Sequence, residues 1–559
     1  MDQHVDDSAD AQPPDVGRQP WLHELEIAVD GPTTSLSSGS GQIGGCGTGV
    51  FVDDRRVVSV LQLRLGGHEP SSVAASSLGA CSQFWTAARN LGASGPDPTI
   101  EVHRRRTLQG TSMTEQIRVV SRADTPVVTE LEMLLAGDGA EIADVKAGAA
   151  TGIPTLTVDE GRLQWCDERH RSRWRCAPQP TRSSSSVAGG VRLTWPVHLE
   201  PHGVSELTLE LTVERTGHTA FDADAGSSQV DWDPEDLAAR VDDPVLAAVV
   251  RTGLTDLRHL TLRDPEQPDD LFVAAGTPWY LTLFGRDSIW AARMMLPYSR
   301  RLAAGTLRAL ARRQAGERDP DTAAEPGKIL HEVRRTTYHG ADLDLSTRYY
   351  GTVDATPLWV VLLVESWEAG MPEEQVRGLL PNLRAALSWM GEAARRSPDG
   401  MLRYLDESGT GLANQGWKDS GDSMRRADGT VASAPIALLE AQAYAVEAAG
   451  RAADLLDALG EEGGARWRAW GGDLAERVRA GFWVEDVHGT YPAMALDADG
   501  KPVDGVGSNM GHALGTGLLD EHETAAVVAR LMQPDLLREF GIGTLSRDNP
   551  AYNPVGYHT

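Results

Sequence analysis

The sequence predicts an N-terminal antiparallel β-sandwich followed by a helical domain of antiparallel pairs, either a bundle or a toroid of hairpins. Three observations carry this. Between residues 21 and 215, short apolar runs alternate with period two and are separated by turn clusters. From about residue 241 to 559 the period changes to 3.6, and no comparable strand runs return. Between them, residues 216–240 hold the Asp-, Gly- and Ser-rich stretch 217–233, which reads as a linker.

At 559 residues the chain is long enough for two or three domains, each with its own core. A net charge of −28 argues against nucleic acid or an anionic membrane as partner, whereas a neutral polyhydroxyl ligand is indifferent to it. Lys occurs only at 146, 328, 418 and 501, so a Lys inside a functional stretch carries more weight than usual. The cysteines Cys46, Cys81, Cys166 and Cys176 show no C-x-x-C spacing and read as free thiols, neither a disulfide framework nor a zinc site. Residues 1–20 are acidic and Pro-rich, read as a disordered tail, and lack the basic-then-apolar run of a signal peptide. No run approaches about 18 apolar residues, the length that spans a bilayer. The expectation is a cytoplasmic protein working without cofactor or metal.

In the first part, residues 49–65 contain two β-type runs around Asp53-Asp54, and further strands are predicted at 115–121, 127–135, 191–199 and 207–213. The serine run 183–186 reads as a loop. In the second part, helices are predicted over 242–262, 286–315, 355–370, 373–396, 433–459, 463–482 and 520–538, with a short one near 506–515. Polar and aromatic clusters fall in the connections, at 276–288, 348–354, 415–423 and 547–558. Loops on a rigid scaffold are where sites usually form.

Among these, Asn414-Gln-Gly-Trp-Lys-Asp-Ser-Gly-Asp-Ser-Met424 is the richest. Asp419 stands there beside Trp417, Lys418, Ser420 and Gln415. Trp offers a flat apolar platform with one N–H, suited to a sugar ring, and partial burial would raise the Asp419 carboxyl toward acid catalysis. The plain alternative is a capped surface loop, since Asp, Ser and Asn are what turns and helix starts favour. Likewise Asp287 or Ser288 could cap a helix, Asp354 could cap the helix near Thr356, and Lys328–Arg335 could be a bare amphipathic turn.

Taken together, Gly-Arg-Asp-Ser (285–288), Lys-Ile-Leu-His-Glu-Val-Arg (328–334), Tyr-Tyr-Gly-Thr-Val-Asp-Ala-Thr-Pro (349–357), Asn-Gln-Gly-Trp-Lys-Asp-Ser (414–420) and Asp-Asn-Pro-Ala-Tyr-Asn-Pro (548–554) resemble bacterial amylo-α-1,6-glucosidases, glycoside hydrolases of the glycogen-debranching type. Residues 51–59 and 104–110 resemble that family's N-terminal domain. The resemblance implies a β-sandwich followed by an (α/α)6 barrel, and an inverting hydrolase of α-glucosidic bonds with a carboxylic acid and a carboxylate base. Residue by residue, Asp419 matches the general acid. Arg286 and Asp287 match the pair that holds the sugar hydroxyls, and Tyr350, Asp354, Gln415 and Trp417 match substrate-lining positions. Lys418 beside the acid is awkward, because a cation lowers a carboxyl pKa; it is expected to point away or to be outweighed by burial.

In that family the chain continues past Tyr557-His558-Thr559, and the base lies in the continuation. The expectation is therefore an incomplete (α/α)6 toroid, C-terminally truncated, with about eight helices and possible inactivity as a fragment. In-chain substitutes for the base are Glu332 and Asp354. The alternative functions are a non-catalytic carbohydrate-binding remnant, or a related hydrolase of small glucosides such as glucosylglycerate or trehalose.

Overall fold

The computed structural model describes residues 20–45, 47–149, 157–159, 162–185, 190–340 and 343–558. The expected tail (save Pro20), Cys46 and Thr559 lie outside the described residues. The chain divides into two compact units, one running up to Ser228 with Asp233–Thr261 and Gly276–Leu281, the other comprising Gln229–Trp232, Leu262–Ala275 and Thr282–Thr559.

In the first unit an eight-stranded antiparallel sheet runs in space from Thr157–Asp159 to Ser71–Leu78, and a five-stranded sheet from Arg182–Ser185 to Ile43–Gly44. One core joins Ile100, Val102, Ile117 and Leu209 of the former to Leu61, Met133, Leu193 and Trp195 of the latter. That is the packing of a sandwich. The two runs around Asp53-Asp54 form the hairpin Gly49–Val52 and Arg55–Val58, with Asp53 (φ 51°) and Asp54 (φ 64°) in the left-handed region that tight hairpin turns require. Ser183–Ser185 correct the expectation of a loop, since Arg182–Ser185 pairs with Val191–Thr194 as a strand, while Ser186 lies outside the described residues. All four residues are exposed on the sheet edge, so no buried face imposed the alternation that reads as a strand. Helix Pro244–His259 packs in this unit, where His259 Nδ1 lies 2.9 Å from Asp30 and Asp256 accepts from the Gly79 amide at 3.1 Å.

Period-two alternation also carries charge inward. Strand Ile100–Gln109 turns Arg104 and Arg106 to the interior, and Ser112–Ser121 brings Glu115 opposite Arg106. Both arginine Nε atoms donate to Glu115 at 2.7 Å, and all three residues are buried. Burial alone raises a carboxyl pKa, but the two guanidiniums outweigh it and hold Glu115 below its usual range. Breaking such a buried group by removing one partner costs about 3–5 kcal/mol. Glu115→Gln should therefore lower the urea midpoint sharply. In the parent, this contribution should be lost as pH falls through the depressed pKa of Glu115.

Among its described residues the second unit holds seven α-helices: α1 (Gly285–Met295), α2 (Arg300–Ala311), α3 (Ala355–Glu368), α4 (Glu373–Arg396), α5 (Leu439–Ala458), α6 (Gly464–Gly481) and α7 (Glu521–Leu531), with a 3-10 turn at Ser508–Ala513. α3 is buried along almost its whole length, the mark of an inner helix. It contacts both α1 and α5; α5 in turn meets the 3-10 turn. α2 packs on both α1 and α3, and α4, α6 and α7 each pack on one of these inner elements. This is the α/α hairpin arrangement the sequence predicted.

Three predicted helices are shorter than expected. The run 286–315 breaks at Pro297, which has no N–H to continue the ladder, and Ser299 caps α2 by accepting from the Leu302 amide at 3.0 Å. Residues 433–438 do not join α5, since Ala437–Leu438 pairs as a strand with Ala495–Leu496. The helix predicted over 520–538 starts on a capping box of Asp520 and Glu523 and ends at Leu531, shortly before Pro534. No helix among the described residues is long and apolar enough to cross a membrane.

Candidate active site

The N-termini of α1 and α3 and the loop between α4 and α5 meet around one arginine. Gly285 opens α1, and a Cβ there would fall 2.1 Å from the Leu330 carbonyl oxygen and 2.9 Å from the Ala355 Cβ. Only glycine permits this approach. Lys328–Arg335 is not the amphipathic turn its composition suggested. It runs extended between neighbours: His331 accepts from the Gly285 amide and donates to the Tyr349 carbonyl, both at 2.8 Å, while the Val333 amide donates to Leu283 at 3.0 Å. This backbone clamp fixes where Arg286 leaves α1.

Arg286 is 7% exposed and donates to both oxygens of Asp354, at 3.2 and 3.0 Å. Its other terminal nitrogen stands 3.6 Å from Asp419. Asp354 occupies the N-cap position of α3 but makes no side-chain cap bond. Its carboxylate instead takes Arg286 and the Thr352 hydroxyl, the latter at 2.7 Å. Neither Asp287 nor Ser288 caps α1, whose N-cap residue is Phe284; the Ser288 hydroxyl donates to the Val273 carbonyl at 2.7 Å. Asp287 is raised by burial, against the pull of Arg286 and with a further push from Asp354. Three carboxylates thus share the field of one guanidinium.

Asp419 is half-buried, with 26% of its side chain exposed. Burial raises its pKa, Arg286 opposes, and Asp287 and Asp354 push it further up. Lys418 has turned away. Its ammonium is fully buried and donates to the Thr544 carbonyl at 2.5 Å, and it is absent from the charges that act on Asp419. The placement resolves the awkward neighbour by geometry as well as by burial.

Trp417 is partly exposed, its ring centre 4.7 Å from that of His512 and 6.4 Å from that of His558. Gln415 is 2% exposed, and its backbone carbonyl accepts from the Val353 amide at 2.8 Å. Tyr350 is not brought to the cluster: its hydroxyl donates to the Arg313 carbonyl at 2.7 Å. Glu332, one of the two substitute bases, pairs with Arg334 at 2.9 Å, and Asp354, the other, is held beneath Arg286.

Several residues around the cluster were not foreseen. Tyr444 on α5 lies 2.5 Å from His512 Nδ1, and Trp290 on α1 packs edge-on to both rings. Burial is the main cause that pushes His512 down to about 4, so the ring is neutral near pH 7. Glu440 is fully buried on α5, accepts from Asn509 Nδ2 at 3.0 Å and is pushed up to about 7 by burial. The available signal was helical spacing: Glu440 and Tyr444 are four residues apart, as are Arg286 and Trp290, so each pair shares a helix face. No group of three or more His, Cys, Asp or Glu among the described residues is placed to hold a metal ion.

Residues 29–210 match the N-terminal domain of some glycogen debranching enzymes, and residues 283–559 match the mannosylglycerate hydrolase MGH1-like glycoside hydrolase domain. The chain is a glycogen-debranching-like glycoside hydrolase. The hydrolase shares its fold with a bacterial glucoamylase solved with acarbose, at 8% identity and a TM-score of 0.57, over 93% of this chain and 79% of that one. A metal-independent α-mannosidase of Streptococcus pneumoniae, solved with α-1,6-mannobiose, is 18% identical over 56% of this chain and 80% of that one, with a TM-score of 0.38. No curated protein sequence matches the chain.

Proposed function

We propose that this enzyme hydrolyses α-glucosidic bonds with inversion, and that Asp419 is the general acid that protonates the departing glycosidic oxygen. The observation that carries this is the state of Asp419: partly exposed, raised by burial and by two neighbouring carboxylates, and free of Lys418. An acid must hold its proton near working pH to give it up in the transition state. Arg286 and Asp287 take the role of gripping sugar hydroxyls at the cleaved unit, with Trp417 as the apolar platform beside them. Asp354 is fully buried, so its part is to hold Arg286 in place. The three described cysteines are unpaired, which fits a reducing, cytoplasmic setting.

A second reading, cleavage of a small sugar conjugate, rests on the match of residues 283–559 to a domain named for mannosylglycerate hydrolase. The test is a panel of maltose, isomaltose, trehalose, glucosylglycerate and mannosylglycerate, with released sugar measured and proton NMR following the anomer formed first. The proposal expects release of glucose from an α-glucoside as the β-anomer. Retention of configuration, or mannose release alone, would sink it.

A further inference from the structure

The Lys328–Arg334 motif serves the Arg286 cluster through its backbone, yet its lysine goes elsewhere. Lys328 lines a cavity of about 210 Å³ whose wall includes Thr352, Val353 and Gln415 but none of Arg286, Asp287, Asp354 or Asp419. It is 5% exposed, and among the described residues its ammonium makes one hydrogen bond, to the Ala323 carbonyl at 3.1 Å. It also lies 5.8 Å from the centre of the Trp389 ring. An ammonium has three donors. On the same wall, Gln415 Nε2 is buried and without a hydrogen-bond partner among the described residues.

The carboxylates on the wall each have partners: Asp319 accepts from the Thr322 hydroxyl at 2.9 Å and the Asp321 amide at 3.1 Å, Glu325 Oε2 from Trp389 Nε1 at 2.8 Å and from Arg396 at 2.5 Å, and Glu407 from Arg318 at 2.7 Å. What the cavity has in surplus is donors, one of them cationic. Leaving such groups unmatched when buried is costly. A neutral sugar brings hydroxyls that both donate and accept; a carboxylate brings acceptors alone, with a charge to meet the ammonium. We propose that this cavity binds a small organic carboxylate, held by the Lys328 ammonium and the Gln415 carboxamide. With a water occupying about 30 Å³, the space suits an acid of roughly three to five carbons. This site goes beyond the glycosidase reading and does not depend on it.

Calorimetric titration tests it with three probes: lactate, propane-1,2-diol as its near-isosteric uncharged counterpart, and inorganic phosphate. Lactate should bind at one site in the parent and equally in Asp419→Asn, and the diol should not bind. Lys328→Met should weaken lactate by roughly tenfold or more, the scale of a charge-assisted hydrogen bond, whereas Lys328→Arg should retain it. Burial, with Arg396 adding to it and Glu325 and Glu407 opposing, sets the free ammonium at about 8. Lactate binding should therefore fall as pH rises past that value in the parent and stay flat in Lys328→Met. Should Lys328→Met fail to fold, Gln415→Glu decides, since it replaces a donor with an added carboxylate that must repel lactate. No lactate binding, equal binding of the diol, or affinity unchanged in a folded variant overturns the proposal. Phosphate bound more tightly than lactate, with the same dependence on Lys328, overturns the carboxylate assignment.

Discussion

Asp419→Asn should cut glycoside turnover by about 10²–10⁴-fold, the contribution of general acid catalysis, while the protein stays folded. An amide keeps the size of the side chain and loses the proton to be transferred. The pH profile of the parent should match: activity is present while Asp419 is protonated and falls as pH rises through its raised pKa. Stability moves in the same direction with pH. A carboxyl whose folded pKa is raised favours folding when protonated, and that advantage is lost as pH rises past the unfolded value. Asp419→Asn should therefore melt at or above the parent's temperature at pH 7, a trade of stability against activity common at catalytic sites. Turnover undiminished in the variant would remove Asp419 from the chemistry.

Arg286→Ala should be damaging in two ways. Burial by itself lowers an arginine pKa, but Asp354, Asp287 and Asp419 outweigh it and keep Arg286 charged. Removing the guanidinium leaves Asp354, 0% exposed, with only the Thr352 hydroxyl as a side-chain donor among its described hydrogen bonds. The expected loss is about 3–5 kcal/mol of stability, read by urea unfolding, together with weaker sugar binding. The double variant Arg286→Ala/Asp354→Asn should recover part of the stability, because the stranded charge is gone, yet none of the binding. A single variant as stable as the parent would show that the pair carries no such burden. Arg286→Lys should keep charge but lose the planar group whose two terminal nitrogens face Asp354 and Asp419 separately, so stability should recover more than binding does.

The fold class was legible because burial imposes a period. Strands with one buried face alternate by two, and the predicted runs at 115–121, 127–135, 191–199 and 207–213 all fall within strands. The edge strand Arg182–Ser185 was missed because neither of its faces is buried. Helix ends were misread where a proline or a local pairing overrode the period, at Pro297, at Ala437–Leu438 and near Pro534.

From the sequence, Arg286, Asp287, Asp354 and Asp419 were expected at one site through the family resemblance and their place on connections between helices, and the fold brings the three carboxylates into the field of Arg286. Only the tertiary structure decided how deeply each is buried and which charges face it. Asp354 and Asp419 are both acidic residues on polar loops, and their local sequences do not say which is exposed. One is sealed beneath Arg286 and the other reaches solvent, with Lys418 drawn off to Thr544. Burial and the nearest charges set a carboxyl's proton affinity, and both come from residues distant in sequence. The same holds for Tyr350, which the sequence placed at the sugar and the fold ties to Arg313. It holds too for Glu440, Tyr444 and His512, whose meeting depends on how α5 and the 3-10 turn pack, a contact that no local pattern encodes.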